Sequence, residues 1–404
     1  MAIAEMLKAH GQEHLINFDG LSPTEKAAYI AQLEAIDWDI VEMWKDPEDL
    51  SGKGEIKPIE GVTLTEIERK RAEFEALGKN AICKGKVAAV LLAGGQGTRL
   101  GVDLPKGAYD IGVTRPVYIF ERLIANLTEV CNACMTTVPL YIMTSDKNDA
   151  ETRAFFKAHD YFGYPEAYIK FFKQDMAPSV SFDGKLLLEE RGRIALSPNG
   201  NGGWYSSLIK AGLDKDMKKR GIEWINVFAV DNVLQRIADP VFVGATIASG
   251  KKSGAKVVRK VSPEERVGVL CLEDGLPGVI EYYEIDESRA NLRDAEGNLV
   301  YSWGVILNYL FHAGRLEEIA RERIPVHVVK KKIPYIDENG ALVKPDKENG
   351  YKFETLILDM IRLMGTCLPF EVAREREFAP IKNKTGVDSV ESARELLKKN
   401  GVIL

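Results

Sequence analysis

The sequence predicts an α/β fold: a doubly wound, mixed sheet with a helical N-terminal appendage and a small C-terminal α+β domain. Three observations predict it. From residue 86 to roughly 320, apolar strand-like runs alternate with helical patterns, as expected of crossover connections in a mostly parallel sheet. The first run, Val87–Ala93, passes directly into a glycine-rich loop, Gly94–Gly101. A later run, "WINVFAVDN" (224–232), closes on Asp231, and the carboxyl end of a parallel strand faces the ligand crevice of open α/β sheets.

Residues 1 to about 80 read as the helical appendage. "SPTEKAAYIAQLEAIDWDIVEMW" opens on Ser22 with Glu25 three residues on, a capping box, and its apolar positions recur at helical spacing through Trp44. Asp46 to Gly61 is rich in Pro, Gly and charge and reads as a linker. A second charged helix, "LTEIERKRAEFEALGKNAI", then leads into the first strand. This appendage reads as packing surface without chemistry of its own.

The middle part, 81–325, continues with the strand "VPLYIMTS" (138–145) and the helix "DKNDAETRAFFKAH". After "WINVFAVDN" a helix is expected through Gly250. "AKVVRKV", "VGVLCLEDG" and "PGVIEYYEI" are shorter strands separated by turn residues, which suggests an antiparallel insertion on the sheet edge over 255–285. The C-terminal part, 326–404, holds a hairpin-like Asn339-Gly340 turn, an amphipathic helix and a final charged helix.

Composition narrows the class of function. A net charge of −6 argues against a general nucleic-acid binder, although it leaves room for a local cationic pocket. No apolar run reaches membrane-spanning length, and the charged N-terminus lacks the apolar core of a signal peptide, so a cytoplasmic location is expected. Five cysteines, an odd number over a long chain, fit reduced thiols. Cys131 and Cys134 form a lone C-x-x-C, read as helix packing, and the five histidines show no paired metal spacing.

The loop behind Val87–Ala93 carries the chemistry. Glycines let the backbone approach a ligand closely, and Arg99 and Lys106 add positive charge beside it, so a polyanion such as a nucleoside triphosphate is the natural guest. It is not a Walker A loop, because no Ser or Thr follows Lys106. It is not the dinucleotide Gly-x-Gly-x-x-Gly either, because Leu100 stands where the third glycine belongs. What remains is Gly-Gly-x-Gly-Thr-Arg-Leu-Gly followed by Pro-Lys. Asp231 offers a hard oxygen to Mg²⁺, or else an N-cap to the next helix. In "LSPNGNGGWYSSL", Gly200, Gly202 and Gly203 surround Asn201 ahead of a helix, which reads either as an anion or base site or as a loop without a ligand. Glu281 and Lys382 could serve a sugar and a phosphate, or be surface charges.

Taken in order, these segments resemble the UDP-N-acetylhexosamine pyrophosphorylases of the wider UDP-sugar pyrophosphorylase family over nearly the whole chain. The matching stretches are "GQEHLINF", "LAGGQGTRLGVDLPKGAYDIG", "MTSDKNDAETRAFFKAHDYFG", "FFKQDMAPSVSFDGKLLLEE", "NGNGGWY", "VFAVDNVLQRIADPVFVG", "GVIEYYEI", "KKIPYID", "VKPDKENGYKFE" and "FAPIKN". The resemblance implies a Rossmann-like nucleotidyltransferase domain and a reaction of UTP with a hexose 1-phosphate giving UDP-sugar and pyrophosphate. It implies that Gly94 and Gly95 contact uridine and triphosphate, that Arg99 is the main catalytic cation and that Lys106 assists it. Gln174 would read the uracil edge and Gly200 would pack under the base or ribose. Asp231 would hold Mg²⁺, Asn201, Glu281 and Tyr282 would bind the sugar, and Lys382 would grip its phosphate.

The chain departs from that pattern in the sugar pocket. Val305 stands where those enzymes carry a sugar-contacting asparagine, and Leu356 and Leu358 replace a pair of phenylalanines. The implied sugar is N-acetylglucosamine 1-phosphate, with glucose 1-phosphate or a broader sugar range as the alternative. A monomer or homodimer without nucleic-acid or membrane partners is expected.

Overall fold

Ten strands assemble into one mixed sheet, with the fully buried run Val87–Leu92 well inside it. In chain order they are β1 (Ile56–Lys57), β2 (Val87–Leu92), β3 (Leu140–Thr144), β4 (Ile169–Lys173) and β5 (Trp224–Ala229). They continue with β6 (Ser253–Arg259), β7 (Val269–Glu273), β8 (Leu276–Ile280), β9 (Trp303–His312) and β10 (Cys367–Glu371). Strands β4, β3, β2 and β5 lie side by side and run parallel, with Val87 opposite Trp224 and Ala89 opposite Leu140. β9 then pairs antiparallel with both β5 and β6, and β10 runs parallel to β6. The computed structural model describes residues 3–45, 54–320, 322 and 324–404.

Apolar residues cover both faces of the parallel strands, as β-branched and leucine-rich runs must when helices pack on each side. Helices α1 (Leu64–Cys83), α2 (Ile119–Ala133), α3 (Asp149–Ala158) and α4 (Pro240–Ala248) contribute Phe74, Phe120, Leu127, Phe156 and Phe242 to the same buried cluster as Leu91, Ile142 and Phe228. α1 and α4 cross on glycine. A Cβ on Gly78 would stand 1.8 Å from the Pro240 carbonyl oxygen, and one on Gly244 would stand 1.7 Å from that of Phe74. Asp239 caps α4 by accepting a hydrogen bond from the Val241 amide, with Pro240 at the first helical position.

The chain divides into two compact units. The sheet belongs to the one made of residues 53–174, 204–323 and 358–404. The other comprises 1–52, 175–203 and 324–357. Its helix Pro23–Glu34 is capped by the expected Ser22–Glu25 box. That helix packs Tyr29 and Leu33 on Val180, Ile194 and Phe353, beside a three-stranded sheet of His327–Lys331, Gly350–Glu354 and Val180–Ser181. The Gln12 side chain donates to the Gly184 carbonyl and accepts from the Leu186 amide.

These limits do not coincide with the three parts read from the sequence, with boundaries near 80 and 325. The N-terminal helices share one core with two later segments, α1 packs against α4, and β10 completes the large sheet. Periodicity reports helices and strands but not which distant segments share a core. Of the linker expected over 46–61, residues 46–53 lie outside the described residues, and Ile56–Lys57 form β1, antiparallel to β7. β7 and β8 make the expected antiparallel hairpin. β6, expected in an edge insertion, instead lies between β9 and β10. The Asn339-Gly340 turn joins Tyr335–Ile336 to Leu342–Val343 as an antiparallel pair.

Candidate active site

The parallel strands place four loops on one edge of the sheet. β3 and β4 lie on one side of β2 and β5 on the other, so the winding reverses between β2 and β5. A crevice opens at the carboxyl ends of strands at such a reversal. The glycine-rich loop leaves β2 there, and Asp231 follows β5.

The loop is folded back on itself by main-chain bonds. The Gly97 amide donates to the Leu104 carbonyl at 2.9 Å and the Lys106 amide to that of Gly95 at 3.2 Å. Gly101 sits in the left-handed region at φ 74°, which turns the chain toward Pro105 and Lys106. Asn148, fully buried ahead of α3, donates from its amide to the carbonyls of Ala93 (2.9 Å) and Gly95 (3.3 Å) and accepts from the Ser145 amide and hydroxyl. Gln174 follows β4, its main-chain amide bonded to the Thr144 carbonyl at 2.8 Å. Its side chain lies against Gly94, where a Cβ would stand 2.8 Å from Nε2. Around Gly95 a Cβ would meet nothing within 4 Å, which leaves the backbone open to a ligand.

Cations converge on this edge. Lys106 Nζ lies 3.9 Å from an Asp231 carboxylate oxygen, the two side chains 17% and 25% exposed. Burial pulls the Lys106 ammonium below the ordinary lysine pKa. Asp231 opposes that shift, while Lys382 and Arg99 add to it by like-charge repulsion, so all four charges share one neighbourhood. Lys382 Nζ is paired with Asp388 at 2.9 Å. Its segment is tied to the strand end, because the Ile381 amide donates to the Asp231 carbonyl at 2.9 Å and buried Asn232 bonds both the Glu377 carbonyl and the Ala379 amide. Asp231 supplies one carboxylate. Among the described residues no three His, Cys, Asp or Glu side chains gather as a metal cage. Such a donor set suits Mg²⁺ carried in on phosphates rather than a metal held by protein alone.

The residues expected to touch the sugar fall in two places. Near Gly268, ahead of β7, a Cβ would stand 3.5 Å from both Glu281 Oε1 and Val305 Cγ2, so those two side chains flank the same glycine. Glu281 lies one residue past the end of β8 rather than within the strand, and Tyr282 beside it is 41% exposed. In the other unit, Gly200 (φ 89°) and Gly202 press on the backbone of Thr355 and Leu356, where Cβ atoms would come within 2.2 and 2.6 Å. The Asn201 side-chain oxygen accepts from the Ile357 amide at 2.9 Å. Close packing therefore accounts for Gly200 and Gly202. Leu356 precedes the helix Ile357–Leu363 and Leu358 lies in its first turn.

Comparison with known proteins identifies the family. The family model described as UTP–glucose-1-phosphate uridylyltransferase matches residues 34–402. The chain belongs to this family. Among its relatives it is 39% identical to the UDP-N-acetylhexosamine pyrophosphorylase-like protein 1 of Mus musculus, over 96% of this chain and 81% of that protein. It is also 39% identical to the UDP-N-acetylglucosamine pyrophosphorylase of Saccharomyces cerevisiae, over 82% of this chain and 72% of that protein. The uridine diphosphate N-acetylglucosamine pyrophosphorylase of Trypanosoma brucei, solved with an inhibitor, superposes with a TM-score of 0.82. That superposition is at 28% identity and covers 98% of this chain and 84% of that one.

In this uridylyltransferase-family chain, three site features escaped the sequence reading. Asn148 and Asn232 act through buried side-chain hydrogen bonds to main-chain groups, and their only sequence signal is an Asn just ahead of a helix or just after a strand. Lys384 lies at Gly101, where a Cβ would stand 2.7 Å from its Nζ. Its signal was the second lysine of "IKNKTG", two residues past the one singled out.

Proposed function

We propose that the protein catalyses UTP-dependent uridylyl transfer to N-acetylglucosamine 1-phosphate, forming UDP-N-acetylglucosamine and pyrophosphate. Its family and its relatives at 37–40% identity support the reaction class and the sugar. The observation that carries the reading is the cation cluster at the winding reversal, Lys106 against Asp231 with Arg99 and Lys382 around them.

Uridylyl transfer needs positioned reactants and neutralised charge more than covalent help from the protein. Gly94 and Gly95 present bare backbone to the nucleotide, and Gln174 beside Gly94 offers an amide to the uracil edge. Arg99, Lys106 and Lys382 hold positive charge over the α-phosphate and the departing pyrophosphate. The sugar phosphate oxygen attacks the α-phosphorus in line. It is already an anion at neutral pH, because the second pKa of a phosphate monoester is about 6, so no general base is required. Mg²⁺, when bound, would neutralise phosphate charge, and Asp231 would hold it. Glu281 and Tyr282 are assigned to the sugar, with Val305 in the wall beside Glu281. Asn201, Gly200, Leu356 and Leu358 retain the sugar and nucleotide roles that the family resemblance implies. The proposed site of action is the cytoplasm; no helix among the described residues is long and apolar enough to cross a membrane.

Pyrophosphate release with UTP, Mg²⁺ and a panel of sugar 1-phosphates tests the proposal. N-acetylglucosamine 1-phosphate is expected to exceed glucose and galactose 1-phosphates by at least about tenfold in kcat/KM. Arg99→Ala is expected to lower kcat by about 10²–10³-fold, the cost of removing one charge-stabilising donor. Preference for an unacetylated hexose would show that Val305, Leu356 and Leu358 have rebuilt the sugar pocket. An unimpaired Arg99→Ala would end the mechanism.

A further inference from the structure

Three of the five cysteines gather where the C-terminal ends of α1 and α2 meet. The place lies at the opposite end of β2 from the nucleotide loop. Cys83 ends α1 and is separated by three residues from the start of β2, whereas the loop leaves that strand's other end. Cys83 is exposed, and its thiol donates to the Cys134 carbonyl at 3.0 Å. Cys134 caps α2, and its own buried thiol lies beside that of Cys83. Cys131 is held differently. Its sulfur accepts from the Val138 amide at 3.4 Å and lies 3.3 Å from the Tyr164 hydroxyl, inside the core. Lys79, one turn before Cys83 on α1, places its ammonium near both the Cys83 and Cys134 sulfurs.

We propose that Cys83 and Cys134 are a modification site: a thiol pair that low-molecular-weight disulfides convert to a reversible covalent staple between α1 and α2. The exposed Cys83 thiolate attacks the small disulfide R–S–S–R, forming Cys83–S–S–R and expelling one RS⁻. The Cys134 thiolate then attacks the Cys83 sulfur, forming the Cys83–Cys134 bond and expelling the second RS⁻. The two protons lost by the protein thiols end on the two RSH, so the protein is oxidised by two electrons and the small disulfide reduced by two.

Burial, followed by the neighbouring Cys83 thiol, pushes the Cys134 pKa up to about 11, so its thiolate is scarce near neutrality. The closing step is therefore slow there and speeds with rising pH, about tenfold per unit well below that value. Because the staple joins two helix ends and not the nucleotide loop, it acts on stability rather than turnover.

The test incubates the full-length protein with oxidised glutathione from pH 7 to 9 and maps the cysteine peptides by mass spectrometry. The expected result is a Cys83–Cys134 cross-link whose formation accelerates with pH, survives Cys131→Ser and is lost in Cys83→Ser. Cys134→Ser should stop at glutathione on Cys83. The oxidised wild type should melt a few degrees higher, reversibly with reductant and not in Cys83→Ser, with pyrophosphate release changed less than about twofold. Glutathione that remains on Cys83 in the wild type, a Cys131–Cys134 link, or a lowered melting temperature would overturn the proposal. Since Cys83 is exposed, Cys83→Ser gives a folded control even if a buried replacement does not.

Discussion

Lys106 carries the sharpest consequence at the scale of single residues. Its ammonium is held below the ordinary lysine pKa because burial outweighs the nearby Asp231 carboxylate, and Arg99 and Lys382 push the same way as burial. The sign follows from linkage. Between the folded and unfolded pKa values the unfolded chain binds more protons, so stability rises with pH across that window. Function runs the other way, because the charge that faces phosphate is lost there. The kcat/KM profile for UTP is expected to fall on its alkaline limb at a pH below the ordinary lysine value. In the kcat profile, where bound phosphates favour the ammonium, the limb moves to higher pH. Lys106→Arg keeps its charge and should remove the limb from both. A limb that persists in Lys106→Arg would assign the titration elsewhere. Asn148 makes a second residue-scale case. It bonds the carbonyls of Ala93 and Gly95 from full burial, so Asn148→Ala should destabilise by about 1–3 kcal/mol and raise KM for UTP as the loop loses its brace. Denaturant melts and initial rates measure both, and an unchanged KM would show that the loop holds its shape without Asn148.

Elements explain why the reading of this sequence succeeded in some places and not in others. β2, β3 and β5 were legible because each is an apolar run bounded by turn residues, and the Ser22–Glu25 cap because both partners lie within one turn. The glycine-rich loop was legible because its spacing states a backbone requirement. By contrast, Gly78 and Gly244 lie far apart in sequence inside ordinary helices. Only the structure shows that they let α1 and α4 touch backbone to backbone. The same blindness hid the placement of β6 between β9 and β10, since strand pairing is a property of distant partners. Gly78→Ala is the direct probe of the crossing. With a Cβ 1.8 Å from the Pro240 oxygen the helices must separate, at a cost of about 1–3 kcal/mol. That should lower the denaturation midpoint while the rate at saturating substrate stays near that of the wild type. An alanine tolerated without loss would mean the crossing relaxes freely.

At the scale of the whole molecule, the expected role of Mg²⁺ has a thermodynamic signature separate from turnover. Asp231 offers one carboxylate, and no three-ligand cage exists among the described residues, so the ion has little to bind until phosphates bring further oxygens. A ligand stabilises the fold by RT ln(1 + [L]/Kd), about 2.7 kcal/mol at a hundredfold excess over Kd. Mg²⁺ alone at low millimolar concentration should therefore leave the melting temperature nearly unchanged. UTP with Mg²⁺ should raise it by several degrees, and UTP with a chelator by clearly less. Asp231→Asn should narrow the gap between the last two, because it removes the metal's protein oxygen while leaving the glycine loop and its cations in place. If Mg²⁺ alone raises the melting temperature as much as the pair does, the protein holds a metal site of its own, away from the phosphates. If the chelator changes nothing, the cations Arg99, Lys106 and Lys382 suffice to hold UTP, and Asp231 serves only to position Lys106.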